Sequence, residues 1–371
     1  MKYTTLKDIQ DAREIISPPG DTLSETIEFK GISQAMLAVR MGRPLKTINE
    51  IIKGKTAITP ETAIQLERVL GIEAAFWLER EKNYRLELAE IEEAETILQT
   101  KDWTNNFPLL GMKKLNWLSF ENNVVSKAAC LYSFFGVSGQ ESYYNYYHKR
   151  VYEAAYRMSK SNGKNPYAVS AWLKQGEHQA NKIEAGIYEL QNFKLALQKI
   201  KKIMAEQPDD FFLRLQSICA AAGVKVVHTT CLPGTNLHGS TRWLNDSPLI
   251  QLSNLYNRND IFWFTFFHEA GHIIKHGKKG VFVEGLEYAG EELIKEEEAN
   301  EVAIKYMLTK EEENIIKEEL PLTRNTILKF AKEFNTHPAA IIGRFARNNK
   351  QLNQLGWALK IFKKIDLGIS S

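Results

Sequence analysis

The sequence predicts a mainly α-helical protein that includes one small α+β domain, and three observations support this fold class. Apolar residues recur at helical spacing near the N-terminus and through the middle of the chain, whereas short strand-like runs gather after residue 220. The 371 residues, 44% of them apolar, are enough for two or three domains with separate cores. We predict domains at 17–88, 89–205 and 206–350, followed by a C-terminal tail or helix at 351–371.

The first domain begins with two short helices at the spacing of a helix-turn-helix motif. Residues 32–41 predict one helix, Gly42 a turn, and residues 44–52 a second helix. In such a motif the second helix enters the major groove of DNA, so its exposed positions should be polar or basic. The inward positions are expected to be Met36, Leu37 and Met41 in the first helix and Ile48 and Ile51 in the second.

Positive charge is concentrated in this part of the chain. Residues 29–60 hold six lysines and arginines against one acidic residue, Glu50, although the whole chain carries only +3. That excess suits the neutralisation of DNA phosphates. A helical domain that makes only protein contacts stays open as the alternative. The residues expected to contact DNA on these grounds are Arg43, Lys46, Thr47, Asn49, Lys53 and Lys55.

The middle of the chain predicts a helical connector. Residues 79–99 are acid-rich, with apolar residues at helical spacing. A proline and a glycine then interrupt the pattern, which indicates a linker around 99–110. Residues 177–206 contain no proline, so we predict one long helix there.

Short strands are predicted where the third domain begins. Residues 224–228 and 249–253 are apolar runs of strand length, and they would form a small sheet. Residues 239–243 are the expected edge strand, which could hold an extended peptide by backbone hydrogen bonds. His238 and Arg242 could contact a substrate carbonyl there, or they could be ordinary surface residues.

The sequence HEAGH, inside a strongly apolar stretch, predicts a metal site on a buried helix. His268 and His272 lie four residues apart, so their rings project from one face and can share a zinc ion. Glu269 is then placed as a general base for hydrolysis. Asn259 or the aspartate after it would begin this helix, and Gly277 would end it. The alternative is a pair of hydrogen-bonded histidines in a core helix.

A third zinc ligand is expected from the acidic run that opens the next predicted helix. Glu296 and Asn300 lie four residues apart on one face of it. This spacing suits a carboxylate that completes the zinc site and an amide that orients a histidine ring. Glu297 and Glu298 stay open as alternative ligands. His276 is expected to make a contact at the end of the first helix.

These motifs and their surroundings resemble the ImmA/IrrE family of bacterial zinc metallopeptidases. The similar stretches are HEAGHIIKH at 268–276 and EEEANEVA at 296–303, with the strand region 212–253 and the segment 337–344. Val302 departs from the family, in which an aromatic residue is common at this position. The resemblance implies a gluzincin-like zincin core and the hydrolysis of peptide bonds, often in a DNA-bound repressor.

The N-terminal segment resembles the HigA-type branch of the XRE regulators over residues 17–88. The similar stretches include PPGDTL at 18–23, ISQ at 32–34, NEIIKGK at 49–55 and ITPETA at 58–63. The resemblance implies a λ-repressor-like domain that binds double-stranded DNA as a homodimer, and it raises a cognate toxin as a partner. It adds Gln34 as a contact to the DNA backbone or first base, and Leu45 beside Lys46 and Asn49 in the groove.

No membrane or secretory segment is predicted. The first twenty residues include several charged residues and no apolar core, and the apolar run at 261–267 is far too short to span a bilayer. Cys130, Cys219 and Cys231 are odd in number and lack CxxC spacing, which argues for reduced thiols. We therefore expect a soluble cytoplasmic protein.

Two functions stay open at this point. The first is a DNA-binding transcriptional regulator with an attached zinc endopeptidase, constitutive or triggered, that cleaves a protein or peptide substrate. The second is a HigA-type antitoxin or repressor whose zincin domain senses a ligand or partner without significant proteolysis. The intact HExxH motif favours the enzyme, because a sensor would not require Glu269 as a base.

Overall fold

The computed structural model describes residues 2–151, 163–255, 258–278, 281–284, 290–348 and 361. Helices predominate in these residues, and a small mixed sheet accompanies them. The expected fold class, mainly α with a small α+β part, is therefore confirmed at this level. The predicted tail at 351–371 lies, except for residue 361, outside the described residues.

The N-terminal part consists of six helices, and the last five share one core. The helices are α1 (Leu6–Ile15), α2 (Pro19–Phe29), α3 (Gln34–Met41), α4 (Leu45–Ile52), α5 (Pro60–Leu70) and α6 (Ala74–Leu98). Each of α2 to α6 contributes at least one fully buried side chain to this core. Examples in chain order are Leu23, Leu37, Ile48, Leu66 and Trp77.

Helices α3 and α4 form the predicted helix-turn-helix. The Ser33 hydroxyl accepts a hydrogen bond from the N–H of Met36 and begins α3. Gly42 ends the helix at φ +63, a left-handed conformation that glycine adopts at low cost. Ile48 is buried as predicted, but Met36 is 45% exposed. Met36 stands about 100° from Leu37 around the helix, so the two do not share the buried face.

Helix α6 passes without a break through residues 88–89, where the sequence predicted a domain boundary. Its C-terminal half packs with the N-terminal segment, because Tyr3, Ile9, Ile91 and Ala94 form a buried cluster. The chain divides into two compact units. One contains the described residues up to Thr104 together with Phe120–Leu131, and the other contains Asn105–Ser119 and the described residues from Tyr132 onward.

A series of helices follows α6. They are α7 (Lys101–Asn105), α8 (Leu109–Lys114), α9 (Val124–Phe135), α10 (Gln140–Tyr143), a π-helical segment (Tyr144–Val151), α11 (Pro166–Ala180), α12 (Leu190–Glu206) and α13 (Phe211–Ala221). The prediction of one long helix over 177–206 is wrong, because the chain turns at 181–189. Gly186 donates its N–H to the carbonyl of Ala220 at 2.9 Å, so a contact with α13 holds this turn.

The sheet has four strands in the order β1-β3-β2-β4. They are β1 (Lys225–His228), β2 (Gly239–Leu244), β3 (Ser247–Leu252) and β4 (Phe282–Val283). The two predicted strands are β1 and β3, which pair in parallel. The expectation that 239–243 form an edge is wrong, because β2 lies between β3 and β4. Strand β4 pairs antiparallel with Ser240 and Thr241 and is the edge strand on that side of the described sheet.

Five helices complete the described chain. They are α14 (Asn259–His276), α15 (Glu291–Met307), α16 (Lys310–Glu318), α17 (Arg324–Glu333) and α18 (Pro338–Asn348). The N-cap of α14 is Arg258, not Asn259 or Asp260, and the helix ends at Gly277 as predicted. Helices α14 and α15 approach closely at Gly271. A Cβ on this glycine would lie 2.9 Å from both the Cα and the carbonyl oxygen of Ala299.

Two further expectations concern bilayers and disulfides. Among the helices that the structure describes, none combines the length and the apolar character needed to cross a bilayer. All three cysteines are described, and no disulfide joins them.

Candidate metal centre and nucleic-acid interface

The three residues that the sequence proposes as zinc ligands converge between α14 and α15. His268 and His272 stand one helical turn apart, and their Nε2 atoms are 3.1 Å from each other. The carboxylate of Glu296 reaches across from α15, with oxygens 3.1 Å from Nε2 of His268 and 3.4 Å from Nε2 of His272. Two imidazoles and one carboxylate form a donor set that zinc prefers.

Burial and neighbouring charges set the protonation of this cluster. Burial opposes charge on His268, yet hydrogen bonding to Glu296 and the carboxylates of Glu284 and Glu269 raise its pKa to about 9. Burial likewise opposes charge on Glu296, but its hydrogen bonds with both histidines lower its pKa to about 2. Burial lowers the pKa of His272 to about 4. The cluster therefore stabilises positive charge where the three side chains meet, and a metal cation there would replace a proton.

Each histidine of the pair has a partner behind it. The amide oxygen of Asn300 lies 3.0 Å from Nδ1 of His268, where it can accept a hydrogen bond from the protonated Nδ1 and leave Nε2 directed at the cluster. Nδ1 of His272 lies 3.2 Å from Nδ1 of His276, whose Nε2 is 2.8 Å from Glu298. Asn300 is thus placed to orient one ring, and His276 the other.

His276 is the last residue of α14 and makes a contact at the helix end, as the sequence predicts. Its two partners, His272 and Glu298, were not predicted, although the spacing of four from His272 was visible. Glu298 is therefore directed at His276, and Glu297 is exposed. Phe282 of β4 stacks on the ring of His272 at a centroid distance of 4.2 Å. This aromatic contact comes from a strand that the sequence did not reveal.

Glu269 is fully buried, and its surroundings leave its carboxylate unengaged. Among the residues that the structure describes, none makes a hydrogen bond to either carboxylate oxygen. Burial raises the pKa of Glu269 well above its usual range. The side chain fits because β2 begins with Gly239, where a Cβ would lie 2.7 Å from Oε1 of Glu269. A buried carboxylate without a partner is costly, which indicates a chemical role.

Arg242 lies on the opposite face of the sheet from Glu269. Alternate residues of β2 point to opposite faces, and Thr241 faces α14, where its hydroxyl donates to the carbonyl of Glu269 at 2.9 Å. Arg242 is 2% exposed and donates to the side-chain oxygen of Gln251 at 2.8 Å. It also lies 3.5 Å from Glu177 of α11. Arg242 is therefore a buried structural residue, and contact with a substrate carbonyl is not available to it.

The residues expected to contact DNA lie around α3 and α4. The exposed ones are Leu45, Lys46, Lys53 and Lys55, and the half-buried ones are Gln34, Arg43, Thr47 and Asn49. Lys46, Asn49 and Lys53 follow one another at spacings of three and four, so they share one side of α4. Lys46 is 86% exposed and only 3.8 Å from Glu50, a loose pair that leaves its charge available. Arg43 instead donates to the side chain of Gln65.

Comparisons with known proteins identify the N-terminal domain. A family profile described as Helix-turn-helix matches residues 30–77. An uncharacterized HTH-type transcriptional regulator, YddM from Escherichia coli (strain K12), is 33% identical over 72 residues, which are 19% of this chain and 77% of that protein. Virulence-associated protein I from Dichelobacter nodosus is 36% identical over 73 residues, 19% of this chain and 68% of that protein.

A solved structure is also similar to part of the chain. It is an addiction module antidote protein of a HigA family from Coxiella burnetii, 28% identical, with a TM-score of 0.21. The similarity covers 22% of this chain and 90% of that one. The profile spans α3 to α5, the helices whose turn and buried core are described above. Through this N-terminal domain, the chain belongs to the helix-turn-helix family of transcriptional regulators.

Proposed function

We propose that this protein is a DNA-binding regulator that also carries a zinc-dependent endopeptidase. Membership of the helix-turn-helix family supports the first part. One observation supports the second: His268, His272 and Glu296 converge beside the buried, unengaged carboxylate of Glu269. Two imidazoles, one ligating carboxylate and a separate base are the residue types that zinc-dependent peptide hydrolysis requires.

In this proposal His268, His272 and Glu296 hold the zinc ion. Bound zinc supplies a Lewis acid that polarises the carbonyl of the scissile peptide bond. Glu269 takes a proton from the attacking water and delivers it to the leaving amine. Its burial suits this task, because a raised pKa makes the carboxylate a stronger base. Asn300 keeps the ring of His268 in the orientation that ligation needs.

The DNA-binding part of the proposal rests on α4. Its exposed side chains would enter the major groove, with Lys46 and Asn49 towards base edges and phosphates. Lys53 and Lys55 would neutralise phosphates beside the groove. Two partners follow as proposals from the sequence resemblance alone. These are a second copy of the chain on a two-fold symmetric operator, and a cognate toxin.

The alternative function keeps the DNA-binding domain and the metal but removes the proteolysis. In a pure sensor of a ligand or partner, the outer residues Asn300 and His276 would still be useful, because they orient the histidines. Glu269 would have no task, although its burial without a hydrogen-bond partner costs stability. This cost favours the endopeptidase.

Replacement of one side chain tests the proposal. Glu269→Gln preserves shape and should keep one zinc per chain, while cleavage falls by about 10²–10⁴-fold because proton transfer is lost. The control is Glu297→Gln, an exposed position that should cleave normally. Substrates would be found as protein fragments that appear in cells with the native chain and disappear with Glu269→Gln. Equal fragment patterns for these two forms would exclude the endopeptidase and leave the sensor.

A further inference from the structure

A cavity of about 240 Å³ lies beside α14, one helical turn before His268. Most of its wall is apolar and comes from α14, from α15 with the residue after it, and from α18. These residues are Ile261, Phe264, Ile304, Met307, Leu308 and Ala340. An apolar cavity of about 150 Å³ already accommodates benzene. This cavity can therefore hold the side chain of a leucine, methionine or phenylalanine.

The cavity adjoins the candidate catalytic cluster through two residues of its wall. Phe264 stacks on the ring of His268 at a centroid distance of 6.1 Å. The methyl group of Thr265 lies 2.7 Å from the point where a Cβ of Gly239 would stand, and Oε1 of Glu269 is 2.7 Å from the same point. A peptide whose scissile bond lay beside the water activated by Glu269 would thus have a neighbouring side chain at the cavity.

Two of the three charged residues of the wall, Asp260 and Arg344, are engaged with residues outside it, whereas one carboxylate oxygen of Glu284 is buried without a hydrogen-bond partner among the described residues. Asp260 accepts two hydrogen bonds from Arg258, at 2.9 and 3.0 Å. Arg344 donates to Glu313 of α16 at 2.8 Å. Because these charges are already compensated, they offer little to a charged side chain. Glu284 is the other acidic residue of the wall. If its carboxylate paired with a lysine of the substrate, lysine would be preferred at this position, and this is the competing outcome.

We propose that this cavity is a specificity subsite for one large apolar side chain, leucine, methionine or phenylalanine, next to the scissile bond. The substrate class is then a peptide segment with such a residue at a fixed position beside the cut. The position relative to a cut rests on the proposed endopeptidase function, whereas binding of an apolar side chain does not.

Cleavage of randomised peptides by the zinc-loaded full chain tests the specificity. Mass spectrometry should find leucine, methionine and phenylalanine enriched at one position beside the cut. Ile304→Ala enlarges the cavity and should shift the preference towards phenylalanine over leucine by about tenfold, as expected for a change of a few methyl groups in an apolar pocket. Glu301→Ala, exposed on the same helix, is the matched control. Cleavage without this preference, or with lysine preferred, would overturn the subsite but not the endopeptidase.

Binding to the metal-free chain separates the two proposals. Saturation-transfer NMR should detect N-acetyl-leucinamide but not N-acetyl-lysinamide, and Ala340→Trp, which fills the cavity, should abolish the leucine signal. Circular dichroism would establish that Ala340→Trp is folded. Ile304→Ala provides a second test, because this variant should still give a saturation-transfer signal with N-acetyl-phenylalaninamide. If the native chain cleaves nothing yet binds N-acetyl-leucinamide here, the cavity proposal stands and the endopeptidase fails. No binding of either probe and no peptide preference would overturn the cavity proposal.

Discussion

The helix-turn-helix domain and the candidate metal centre both carry their candidate functional residues on helices, but they present these residues in opposite ways. Lys46 projects outward and is 86% exposed, whereas Glu269 is fully buried. The side chains proposed to face DNA are expected to act separately, because each depends only on the helix that carries it. The candidate metal centre needs two helices in register, because His268 and Glu296 come from different elements. Replacement of one residue on the first surface should therefore weaken DNA binding only in part. Replacement of one member of the second site should abolish or strongly weaken metal binding.

This contrast has an energetic side. An exposed lysine keeps its hydration, so the DNA-facing surface costs the fold little. Buried histidines and carboxylates lose hydration and must compensate one another. The described part of the candidate metal centre accordingly includes further contacts through Asn300 and His276, whereas Lys46 of α4 has only a loose pair with Glu50. Three predictions test this difference.

The largest effect is expected from the removal of a proposed zinc ligand. Asn300→Ala removes the partner that orients His268 and should weaken zinc binding by about 10–100-fold. His272→Ala removes a donor atom and should weaken zinc binding by more than this. Neither variant should change DNA affinity. Zinc content by plasma mass spectrometry and titration with a competing chelator measure the effect. His178→Ala on α11 is the control, and it should keep its zinc. Unchanged zinc affinity in His272→Ala would contradict the assigned ligand set.

A smaller effect is expected from two glycines that hold helices close together, one in each region. A Cβ at Gly20 would lie 2.2 Å from the carbonyl oxygen of Ile52, and one at Gly271 would lie 2.9 Å from Ala299. Each change to alanine should cost about 1–3 kcal/mol of unfolding free energy through overpacking. Hydrogen exchange should then increase around α2 and α4 for Gly20→Ala and around α14 and α15 for Gly271→Ala. Equal loss of protection in both regions for either variant would mean that they do not behave separately.

An effect no larger than that of the glycine variants is expected from single residues of the proposed DNA-facing surface. Lys46→Ala should lower the slope of log affinity against log salt by about 1, because one phosphate contact is lost. Asn49→Ala should cost about 1–3 kcal/mol on a specific operator and much less on unrelated DNA. Fluorescence anisotropy across a salt series measures both. Lys82→Ala on α6 is the control and should leave the slope unchanged. A salt slope that Lys46→Ala does not alter would remove α4 from the interface.

Much of the helix-turn-helix could be predicted from the sequence because its determinants are local. Ser33 begins α3, Gly42 ends it, and the spacing of Ile48 and Ile51 defines the buried side of α4. The error at Met36 is also local in origin, since an apolar residue beside the buried face is not necessarily part of it. The proposed placement of side chains towards DNA follows from the exposed side of the same helix.

Less of the candidate metal centre could be predicted from the sequence. The spacing of His268 and His272 predicts that they share a face, and this is a property of one helix. That Glu296 lies within reach of both depends on the approach of α15 at Gly271. Likewise, Arg242 and Thr241 are adjacent in sequence, but the sheet directs them to opposite sides. Strand β4 has only two residues, too few for a pattern to reveal, yet it covers the edge that we expected to be open.

The sequence by itself determined the helix-turn-helix, the histidine pair on one helix and the mainly helical fold class. These are set by interactions within about one or two turns of a helix, where periodicity and capping residues suffice. Only the tertiary structure decided the break between α11 and α12, the central position of β2, the partner of His276 and the cavity beside Phe264. Each of these depends on contacts between residues far apart in the chain, and local spacing contains no information about which surfaces will meet.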